Sequence, residues 1–327
     1  MRWQQALSAS VYQNCRQSRG SVESPPERPE RFILIALLSQ FLAVTAATAA
    51  DSFTLSQQPG TQQQPPPESI YAPPAPPQEN TGVNEGAVHL DLTVRYMTDY
   101  VYRGIDRSEV GGHEDSPNLQ FDGKLNFDLG KLPHPFVALF VNVFDSDPIS
   151  RFQEVRPTIG FDWPIKPLTI SAGNITYIFP ERDNLNTSEV FGQISLDDSF
   201  LWSSERPIFS PYVYGAYDYD VYNGWYFEAG LRHNFIFEDT GFVLSAVADV
   251  AYVMGNQQFT LHGTSSTGFQ HYDIGLIGTY SLNTMLNFPK RYGEFSIQGY
   301  VYYTDNLDDD LRADTQIWGG AGIKFEY

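Results

Sequence analysis

The chain has 327 residues, a formal net charge of -19, one cysteine, and 15% aromatic against 18% charged residues. The acidic balance excludes a nucleic-acid partner, whose phosphates need basic side chains, and the lone Cys15 excludes an intrachain disulfide or a cysteine metal cluster. Abundant Tyr and Phe with few charges suit the aromatic girdles of a membrane β-barrel, although a large β-sandwich is also Tyr-rich.

Residues 1–50 read as a secretory signal with a long leading region. Arg28 and Arg31 precede the apolar run Phe32 to Val44, and small residues follow from Thr45 to Ala50. That basic, apolar, small order is what signal cleavage requires, and the run is short for a membrane-spanning helix. Cleavage is expected after Ala49 or Ala50, with an uncleaved anchor as the alternative. Residues 51–86 are rich in Pro and Gln, as in Gln62 to Pro67 and Pro73 to Pro77. With almost no apolar side chains to bury, they read as a disordered periplasmic linker.

From residue 87 onward, alternating segments are separated by turn-rich breaks, and no helical period stands out. In Asn118 to Leu129, Leu119, Phe121, Leu125, Phe127 and Leu129 share one face, while Gln120, Asp122, Lys124, Asn126 and Asp128 share the other. Val155, Ile159, Phe161 and Trp163 likewise oppose Glu154, Arg156 and Asp162. Such runs exceed the five or six residues usual in soluble sheets and match the nine to eleven that cross a bilayer. Twelve are expected, near 89–103, 117–130, 135–146, 152–163, 168–179, 187–198, 209–220, 224–238, 242–254, 268–281, 292–304 and 315–327, with ten or fourteen allowed by merged or missed strands. The breaks tend to alternate long and short, as barrel loops and turns do. Ser199–Ile208 and Asn283–Arg291 are long where short is expected. In the last segment, Ile317, Gly319, Ala321, Ile323, Phe325 and Tyr327 share a face, and Lys324 and Glu326 lie on the other. Ending at Tyr327, it resembles the closing strand that bacterial barrel-insertion machinery reads.

The stretch TDYVYRGIDRS, Thr98 to Ser108, resembles the opening motif of the TorF-type porins, which reads close to SDYVFRGISQS. Gly173 to Phe179 and Glu189 to Gly192 look like middle strands of that family. The resemblance spans roughly residues 88–327, departing at the loop Val110–Ser116 and in the proline-rich linker. It implies a bacterial outer-membrane barrel with pore function and supplies no catalytic residues.

With the apolar set facing lipid, the interior receives Arg95, Asp99, Arg103, Asp122, Lys124, Glu154, Arg156, Asp162, Glu228, Arg232, Asp249 and Asp273 as candidate lumen residues. Asp91, Asp128, Glu189, Glu294, Lys324 and Glu326 join them, giving twelve acids against six bases. Such a wall concentrates cations. Inward Phe140, Phe144, Tyr300 and Tyr302 would narrow the bore. The expected fold is an antiparallel transmembrane β-barrel, and the expected function is a porin-like, cation-favouring channel for small solutes. Its expected surroundings are outer-membrane lipid and lipopolysaccharide.

A plugged structural or adhesion barrel, with acids and bases paired across a filled interior, is the first alternative. An outer-membrane lipid-modifying enzyme is the second, but no strand presents Ser and His at a useful spacing. His233 falls on the outward face as an interface residue. His89, His113, His134, His262 and His271 are scattered without metal-ligand spacing. No enzyme activity, cofactor or metal is expected. The acidic loop Asp305–Asp314 reads as solvated, and the tyrosines from Tyr212 to Tyr226 read as an interface belt.

Overall fold

The period-two pattern becomes a closed wall. The computed structural model describes residues 86–108, 117–144, 153–180, 183–237, 240–261 and 266–327. The expected signal, the linker up to residue 85 and the loop Val110–Ser116 lie outside them. Among the described residues, twelve antiparallel strands form the barrel: β1 (Val88–Met97), β4 (Asn118–Phe127), β5 (His134–Phe144), β6 (Glu154–Ile165), β7 (Leu168–Tyr177), β8 (Thr187–Leu196), β9 (Tyr212–Asp218), β10 (Trp225–Phe237), β11 (Phe242–Met254), β12 (Gly268–Ser281), β13 (Glu294–Asn306) and β14 (Gln316–Glu326). Two short strands, β2 (Val101–Tyr102) and β3 (Ile105–Asp106), pair only with each other.

Closure is made by β1 and β14, whose register sets Leu92 against Phe325 and Val94 against Ile323. Tyr327 finishes the seam, exchanging backbone hydrogen bonds with Leu90 at 2.7 and 2.8 Å. Closing the ring removes the unpaired edges that an open sheet would expose.

Burial follows the alternation. On β14, Ile317 and Ile323 are 73% and 56% exposed on the outside, while Trp318, Lys324 and Glu326 are buried inside. On β5, Val137, Leu139 and Val143 face out, whereas Phe136, Phe140, Asn142 and Phe144 are buried. A soluble sandwich would do the reverse and hide its Leu, Ile and Val rows in a dry centre. This barrel carries them outward and folds its ions inward.

The two connections expected to be short but found long hold the barrel's small helices, Ser199–Trp202 and Leu282–Leu286. Both lie at the end of the barrel where β1 begins and β14 finishes. They carry exposed apolar side chains, Phe200, Leu201 and Trp202 on one, Met285 and Leu286 on the other.

Candidate functional site

The first strand ends earlier than its sequence pattern suggests. After Met97 the chain leaves the wall, and Thr98 to Ser108 fold into the barrel as the β2–β3 hairpin. Asp99 and Arg103 are therefore inside, as expected, but on the hairpin and not on the wall strand. The reason is local. Arg103 and Gly104 both have positive φ, 52° and 72°, as the central residues of a two-residue type I′ turn must, and such a turn reverses the chain at once. Gly104 also lies so close to the wall that a Cβ there would meet His271 Cγ at 2.6 Å.

Hairpin and wall are joined by charge and by rings. Arg103 donates to both carboxylate oxygens of Glu189 on β8, at 2.9 and 2.6 Å, in the bidentate geometry that favours arginine. Its guanidinium stands 4.2 Å from the centre of the Tyr226 ring. Arg107 bonds Glu154 on β6, and Tyr100 donates to the same carboxylate at 2.8 Å. Tyr102 meets Tyr177 hydroxyl to hydroxyl at 2.6 Å, and Tyr100 stacks on Phe140 at 5.9 Å. Arg156, 3.0 Å from Glu154, lies over the rings of Phe140 and Tyr102 at 4.0 and 4.5 Å. Each ion thus has an opposite charge beside it inside a low-dielectric shell, where an unpaired one would be expensive.

A β-bulge secures the hairpin from the other side. Between β11 and β12 the register slips after Val250, leaving an extra residue on β12. Gln270 and His271 consequently both point inward and are buried, while Phe269 points out. A bulge re-aims side chains in this way. Gln270 Nε2 donates to the backbone carbonyls of Arg103 and Arg312, each at 2.8 Å. Asp314 adds two contacts, accepting from the Asp106 amide and donating its own amide to the Gly104 carbonyl, both at 2.7 Å.

Below the hairpin the remaining candidates line the wall in smaller groups. Lys124 pairs with Asp162 at 2.8 Å, and Asp162 also accepts from Ser171 at 2.6 Å. Arg95 faces Asp122 at 3.6 Å. Glu228 accepts from Tyr212 and Tyr226 at 2.6 and 2.7 Å. Arg232 is buried, and Asp249 and Asp273 face one another across β11 and β12.

Most of the charges expected inside line the interior, many as acid–base pairs, but Asp128 is exposed in the turn after β4. The tyrosine belt is corrected in part: Tyr214 and Tyr226 are buried in the interior beside the hairpin, because their positions share a face with Glu228. His233 does face out, its Nδ1 2.6 Å from the Ile208 carbonyl oxygen and its ring edge-on to Phe235. Arg107, Tyr100, Tyr102 and Gln270 were not legible as site residues. Two arginines four places apart in an otherwise strand-like motif were the available signal.

No family model matches this chain, and no curated protein matches it. Among solved structures, it is similar to the NanC porin, with a TM-score of 0.44 and 9% identity over 72% of this chain and 98% of that one. An outer membrane channel from Pseudomonas putida F1 gives a TM-score of 0.44 and 9% identity, over 77% of this chain and 99% of the other.

Proposed function

We propose that this chain is a bacterial outer-membrane channel of the porin type, restricted by the hairpin Thr98–Ser108 folded into its bore. The observation that carries this reading is the inverted wall, with apolar rows outward and ionic rows inward on strands long enough to cross a bilayer. Exposed Phe200, Trp202, Phe288 and Tyr292 at the end where β1 begins and β14 finishes would sit at the periplasmic interface. The resemblance of Thr98–Ser108 to the TorF-type motif points the same way. The closing strand would be the segment read during insertion, and lipopolysaccharide would cover the rim at the opposite end.

Twelve strands lie between the filled eight-stranded barrels and the open pores of sixteen or more, so the contents of the bore decide the traffic. In this reading the hairpin and its rings narrow the bore, so that only small solutes would pass. Inward-facing acids outnumber inward-facing bases in the sequence pattern of the wall, which favours cations over anions. Liposomes loaded with the refolded chain should swell in small neutral solutes and in salts of small organic cations, and much more slowly in salts of matched anions. A second reading, a plugged structural barrel, is favoured by the Arg103–Glu189 and Arg107–Glu154 pairs that hold the hairpin closed. Liposomes impermeable to every solute would select it.

A further inference from the structure

Among the described residues, one interior cluster is accounted for by neither the hairpin nor the paired ions. Asp249 on β11 stands directly opposite Asp273 on β12, and His271 lies two residues before Asp273 on the same inward face. One donor atom from each lies within 4.8 Å of the others. Like charges directly opposite on neighbouring strands repel, and here the repulsion acts inside the barrel.

The remaining donors of this cluster lack hydrogen bonds. Asp249 Oδ1 is buried and has no partner, and neither has His271 Nδ1, in a side chain only 1% exposed. His271 Nε2 is 3.6 Å from Asp273 Oδ2, beyond hydrogen-bonding range. Two ligands on a tetrahedral metal ion, each at about 2.1 Å, stand about 3.4 Å apart. The gap therefore has the width an ion would fill. Asp273 is also oriented for it: Thr304 donates to Oδ1 at 2.5 Å and leaves Oδ2 free to face the histidine. Glu228 is committed elsewhere, to Tyr212 and Tyr226.

We propose that Asp249, His271 and Asp273 bind a divalent first-row transition-metal ion on the inner wall, beside the turn of the hairpin. One imidazole and two carboxylates suit Zn²⁺ and its neighbours, whereas Mg²⁺ and Ca²⁺ prefer oxygen donors throughout. The fourth position would face the water of the bore. Packing of the His271 ring against Gly104 places the ion next to the element that restricts the channel. The site stands on its own geometry and does not depend on whether the barrel conducts.

The test is titration of the full, tag-free chain, refolded in detergent and stripped of metal, with Zn²⁺ by calorimetry and with Co²⁺ by visible absorption. One equivalent of Zn²⁺ should bind, and Co²⁺ should give the intense bands of a low-coordinate site. Asp249→Asn and His271→Gln should each weaken binding tenfold or more, with barrel folding checked by circular dichroism. If His271→Gln fails to fold, the near-isosteric Asp249→Asn and the wild-type Co²⁺ spectrum decide alone. Absence of binding in the folded wild type would overturn the proposal. So would binding that survives Asp249→Asn but is lost when Asp308, Asp309 and Asp310 are changed to Asn.

Discussion

Arg103, in the turn of the inward hairpin, forms two parallel hydrogen bonds with Glu189 on the far wall, at 2.9 and 2.6 Å. Both side chains are buried, so removing either one leaves the other charged and unpaired, at a cost of about 3–5 kcal/mol. The wall strands do not depend on the pair, because their hydrogen bonds run along the ladder. Glu189→Ala should therefore release the hairpin and leave the barrel folded. Single-channel current should rise severalfold while circular dichroism stays unchanged, and an unaltered current would show that the other anchors, Arg107–Glu154 among them, hold the hairpin without this pair.

Lys124 and Asp162 give a cleaner energetic test, since both belong to wall strands, β4 and β6. Lys124→Met leaves Asp162 with only Ser171 and a long contact to Asn126 at 3.5 Å, and should destabilise the barrel by about 3 kcal/mol. Adding Asp162→Asn should recover a large part of that loss, because no buried charge remains. Urea unfolding in lipid vesicles measures the cycle. Additive losses would mean that the two side chains are not coupled.

Leu276, half exposed in the middle of β12, reports which side of the wall meets hydrocarbon. Arginine at a lipid-facing position near the bilayer centre costs about 2–4 kcal/mol. Leu276→Arg should show that loss in vesicles and very little of it in a soluble amphipathic polymer that leaves the face hydrated. Equal stability in vesicles would place this face in water.

Asp198, in the connection after β8, makes the stability of that loop depend on pH. Burial pushes its carboxyl up, but amide donors from Phe209, Ser210 and Ile208 and the Trp202 indole outweigh that and hold it below its ordinary value. A depressed carboxyl contributes stability above the unfolded pKa of about 3.9 and loses it as pH falls through the lower, folded value. The Trp202 indole resonance should move toward its unfolded position on acidification below that range. Asp198→Asn should remove the transition and loosen the loop at neutral pH.

How far the sequence could be read depended on the range of the interactions involved. All twelve wall strands were legible because alternation is a local signal that lipid on one side and ions on the other enforce over ten or more residues. The end of the first strand was not. Tyr100, Tyr102 and Arg103 continue the alternation, and only a turn with two positive φ values, at Arg103 and Gly104, ends it. Partners such as Arg103 and Glu189 are 86 residues apart, so the anchored hairpin became visible only when the closed ring brought β1, β6 and β8 around one axis. His271 looked isolated for the same reason, since Asp249 reaches it from the neighbouring strand. The two helical connections broke the long-and-short rule because Ser199–Trp202 and Leu282–Leu286 each coil into a short helix, which turn propensity does not register.

The central claim is a hydrated bore restricted by an inward hairpin, and planar-bilayer recording of two chains tests it most directly. One is the wild type; in the other, residues 99–107 are replaced by a short Gly/Ser linker. Small, discrete, cation-favouring steps are expected for the first and much larger steps of weaker selectivity for the second. Silence from both chains, with each shown to be folded and inserted, would contradict it.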